Sequence, residues 1–166
     1  MNNEKDNVYD LVEDFYAHDE GWNTLLRQEY AEGFLRMEAW KGKKNSDLYR
    51  SWDNLTMLCL YLGSAETFLG DMNADDFIDC IAWCGRNISE FTPDYKNTQD
   101  FLATCDGLFK YLKGKNAISN DTVPATAAEI LLQEGKMNII LPDGSFDEAN
   151  AERAWNATPD LSLIHI

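Results

Sequence analysis

Positive charge is what this chain has least of. Fourteen Lys and Arg stand against 29 Asp and Glu in 166 residues, a formal net charge of −15 with histidine neutral. A polyanion of that size repels phosphate backbones and anionic bilayers, which argues against direct nucleic-acid or membrane partners. Long apolar runs are missing as well: none approaches the ~20 residues that span a bilayer. The N-terminal MNNEKDNVYD lacks the basic-then-apolar order of a secretory signal. The expected location is the cytoplasm.

Catalytic furniture is equally sparse. The histidines are His18 and His165. His18, in YAHDEGW, closes an acidic helical stretch with no nucleophile beside it and reads as a surface residue, favourable when charged at a helix C-terminus. KGKN lacks the spacing of a phosphate loop, and GSAET is not a nucleophile elbow. Paired carboxylates abound, but among 29 acids that abundance selects none of them. The expectation is a non-enzymatic protein with no catalytic residue, no metal and no cofactor.

Cysteine is limited to Cys59, Cys80, Cys84 and Cys105. Cys80 and Cys84 sit in DDFIDCIAWCGRN, three residues intervening, which on a helix puts them one turn apart on one side. Zinc ribbons and thioredoxin-like sites space the pair by two residues and need a second pair or a helix N-terminus. Cys59 and Cys105 each lie alone on the apolar stripe of another helix. All four read as reduced, buried structural thiols, small hydrophobes in effect. A metal would require all four to converge in the core.

The acids of the same region invite a second comparison. In DMNADDFIDCIA, Asp71, Asn73 and Asp75 fall at positions 1, 3 and 5 of the calcium-binding EF-hand loop, with Ile78 at 8 and Asp79 at 9. That loop needs Gly at 6 and a bidentate Glu at 12. Asp76 and Ala82 occupy those places, so calcium is not expected. A helix capped by Asn73, with Asp75 and Asp76 in its first turn, explains the residues without a ligand. Asp71, Asp75, Asp76 and Asp79 are kept as candidate partner-binding residues because they concentrate negative charge.

Against these absences stand 45% hydrophobic and 12% aromatic residues, a globular composition. Helical periodicity dominates. Val8, Leu11, Val12, Phe15 and Tyr16 form one stripe. Trp22, Leu25, Leu26, Tyr30, Phe34 and Met37 form a second, ending at KGKKN. Ser46 and Asp47 open a third helix whose seam is Leu48, Trp52, Leu55, Cys59 and Leu62. Its second half, LTMLCLYLG, is apolar nearly all round and is expected to be the most buried element. SAETFLGDMN is a short helical turn or loop. A fourth helix runs to about Ile88, with Phe77, Ile81, Cys84 and Ile88 on one face. FTPDY starts a fifth, with Thr92 as cap and Pro93 at the first helical position, carrying Phe101, Leu102, Cys105, Leu108, Phe109 and Leu112. A sixth covers PATAAEILLQEG, and KMNIILPDGSF reads as a hairpin around Met137 to Phe146.

The fold expected is therefore all-α: a compact bundle of five to six helices with at most one short C-terminal β-hairpin, forming one helical domain over residues 1–160. Leu58, Cys59, Leu62, Phe77, Ile81, Phe101, Leu102, Cys105, Leu108 and Phe109 should share its core. The final LSLIHI, Leu161 to Ile166, breaks from the acidic segment before it and resembles the translated end of a sequencing-library transposon. It is set aside as non-native, with the natural chain expected to continue past Asp160.

The segment FTPDYKNTQDFLATCDGLFKYLKGKNAIS is similar in pattern to a helix of the core-binding domain of tyrosine recombinases: a Thr-rich start, an aromatic pair and a closing YL. Those cues are shared by amphipathic helices in general. The recombinases' DNA-facing surface is basic and this chain is acidic, so no residue role is carried over. Three functional expectations remain. The first is a helical protein-interaction module docking a protein partner with a basic surface. The second is an acidic inhibitor that mimics nucleic acid and blocks a nuclease or another DNA- or RNA-binding protein, with charge steering it to basic clefts. The third is the N-terminal half of a larger enzyme.

Overall fold

The computed structural model describes residues 7–17 and 28–133. Six helices run through them: α1 Val8–Ala17, α2 Gln28–Trp40, α3 Asn45–Ala65, α4 Ala74–Asn87, α5 Tyr95–Gly114 and α6 Val123–Gln133, with a 3-10 turn at Leu69–Asp71 before α4. No strand occurs among the described residues. The hairpin expected around Met137 to Phe146, His18, and the tail from Leu161 lie outside them. No helix of the described residues is long and apolar enough to cross a membrane.

α3 is the hub. It packs against α1, α2, α4 and α5, while α6 closes the far side against α4 and α5. All ten residues expected in the core are buried in one cluster: Leu58, Cys59, Leu62, Phe77, Ile81, Phe101, Leu102, Cys105, Leu108 and Phe109. Phe77 and Phe109 meet edge-to-face with centroids 5.5 Å apart, joining α4 to α5. At the other end Phe15 of α1 stands edge-on to Trp52 of α3 at 5.5 Å.

Local chemistry fixes the helix ends. Asn73 caps α4 in a capping box: its side chain accepts from the Asp76 amide at 2.9 Å, and Asp76 accepts from the Asn73 amide at 2.9 Å. Gly42 sits at φ 104° after α2, a conformation that admits glycine without strain. Gly33 allows α2 to approach α5 closely, since a Cβ there would run into the Tyr111 hydroxyl.

Four sequence expectations need correction. α5 begins at Tyr95, not Pro93: Asp94 is its cap, accepting from the Asn97 amide at 2.8 Å, so the carboxylate displaces Thr92 from that role. α3 begins at Asn45, one residue before Ser46, after an extended Lys44 that gives no side-chain cap. Leu11, assigned to the α1 stripe, is exposed. Within LTMLCLYLG, Leu55, Met57, Leu58, Cys59, Tyr61 and Leu62 are buried, yet Leu60 is 46% exposed. No helix among the described residues covers that edge of α3.

Candidate functional site

Leu60 belongs to a groove of about 710 Å³ on the outer side of α3. Arg50, Asp53, Asn54, Met57 and Leu60 line it from α3, at spacings that place them along one side of that helix. At 1.5 Å rise per residue this side is ~15 Å long. Ile88, Glu90 and Phe91 close one wall from the α4–α5 connection, and Lys96, Asn97 and Asp100 the other from the first turns of α5.

One polar joint holds the two helices in place beneath the groove. Asn54 is buried, and its amide donates to Thr104 Oγ1 at 2.9 Å and to Asp100 Oδ2 at 3.1 Å. Thr104 in turn donates to the Asp100 carbonyl at 3.1 Å. A buried amide with both hydrogens bonded is a rigid cross-link. Phe91, packed on Phe101 with centroids 6.4 Å apart, pins the connecting loop to α5. The groove therefore has a fixed frame, an apolar side of Met57, Leu60, Ile88 and Phe91, and charges of both signs. Burial raises the Asp53 carboxyl above its ordinary range, and Arg50 opposes that only in part.

The four acids expected to bind a partner do not line this groove. Asp71 is exposed at the end of the 3-10 turn, beside a smaller hollow of about 370 Å³ shared with Met72, Phe109 and the 117–120 segment. Asp75 and Asp79 are exposed one turn apart on α4. Asp76 is tied into the capping box. Asp76 and Asp79 also stand near Tyr61 of α3; its hydroxyl is pushed up to about 12, first by burial and then by the neighbouring Cys80, Asp76, Asp79 and Cys84.

The cysteines lie on the opposite side of α3. All four are free thiols and buried. They neighbour one another in the core, Cys80 beside Cys84 and Cys105 near Cys84 and Cys59. Tyr16 Oη lies 3.8 Å from Cys59 Sγ. Burial first, and then one another's proximity, holds the Cys80 and Cys105 thiols well above the ordinary thiol range. Among the described residues, no three His, Cys, Asp or Glu side chains are gathered so as to hold a metal ion. Such neutral thiols are poor nucleophiles and fill space as apolar groups.

The groove was missed in the sequence because its apolar residues sit on the same helix as the core seam. A helix apolar all round gives no hint of which side stays open. The signal that could have found it is Leu60 flanking the otherwise polar row Arg50, Asp53 and Asn54. No family model, curated protein or solved structure matches the chain.

Proposed function

We propose that this chain is a non-enzymatic protein-interaction module of the cytoplasm, which docks a protein partner with a basic surface at the α3 groove. The observation that carries the reading is Leu60, a large apolar side chain left 46% exposed inside a rigid, charge-rimmed groove. Anchored apolar residues ringed by polar ones are the anatomy of interaction sites. Asp71, Asp75 and Asp79 add to the negative field that draws a basic partner in, while Asp76 contributes charge from within its capping box. Selection of a random linear peptide library on the immobilised chain tests this. Peptides rich in Lys and Arg, whose retention falls as salt rises, are expected. Enrichment of acidic peptides, or none, contradicts it.

The net charge of −15 favours a second reading, an acidic inhibitor occupying the nucleic-acid cleft of a nuclease or similar protein. Here binding would spread over the acidic surface and survive loss of Leu60, and the chain would compete with DNA for its target.

A further inference from the structure

We draw no further inference here: the strongest candidate, the surface patch of exposed Trp40, Lys41 and Lys44 at the turn from α2 into α3, has nothing in the structure to show what covers it.

Discussion

Helix α3 separates two regions built from similar residues and put to different use. Its inner side, with Leu55, Leu58, Cys59 and Leu62, meets α4 and α5 in a sealed junction where four thiols and two phenylalanine rings fill the space. Its outer side, with Arg50, Asp53, Met57 and Leu60, faces a groove that no helix of the described residues covers. Leu58 and Leu60 stand two residues apart, at 0% and 46% exposure. Hydrophobicity alone does not say what a leucine does: the inner one contributes to stability, and the outer one is free to meet something else.

The sharpest way to break this contrast is to cut into the sealed side. Phe109→Ala removes a buried ring from the α4–α5 contact and should cost ~3–5 kcal/mol, a large share of a domain's stability. Chemical denaturation reads it, and an unchanged midpoint would mean that α5 does not face the core.

The thiol junction makes an alkaline prediction. In the unfolded chain the cysteines ionise from about pH 9, whereas Cys80 and Cys105 keep their protons when folded because burial disfavours the thiolate. Below about pH 9 both states hold the proton and these groups leave stability flat. Above it the folded state binds more protons, so stability falls by ~1.4 kcal/mol per pH unit for each such thiol. Denaturation curves across that range should lose part of their slope in Cys80→Ala and Cys105→Ala; slopes equal to the parent's would show that the thiols ionise in place.

The joint beneath the groove comes next in size. Asn54→Ala strands the Asp100 and Thr104 oxygens and should cost ~1–3 kcal/mol. Thr98 gives the opposite sign. Its hydroxyl is buried without a hydrogen-bond partner among the described residues, so Thr98→Val, close in shape, should raise stability by ~1 kcal/mol. A loss on Thr98→Val would indicate that the hydroxyl is satisfied in solution.

What the sequence made legible follows the same division. Helices, their order and the ten-residue core were readable because periodicity reports which side of each helix is buried in common. Asn73 as a cap and Gly42 as a terminator were readable because those roles are local. The Thr92–Asp94 choice was not, since both residues can cap and only the loop's path decides. The nearness of Cys105 on α5 to Cys59 on α3 and Cys84 on α4 depends on how three helices rotate against one another, which no single stripe encodes. The groove escaped for a related reason: an open edge is a property of the neighbours, not of Met57 and Leu60 themselves. The acids at Asp71, Asp75, Asp76 and Asp79 stood out in sequence by density, and the structure spreads them over a turn, a cap and an exposed face away from the groove.

The smallest expected effect on stability is also the most telling variant. Leu60→Asp should move stability by no more than ~0.5 kcal/mol, because the side chain is 46% exposed at the groove. The direct measurement is the backbone amide NMR spectrum of the chain titrated with a basic peptide from the selection. Shifts should concentrate at Arg50, Asp53, Met57, Leu60, Phe91 and Lys96, leave Leu58, Cys84 and Cys105 unmoved, and vanish in Leu60→Asp. Shifts centred on Asp71, Asp75 and Asp79, unaltered by Leu60→Asp, would contradict the division between a sealed inner face and a docking outer one.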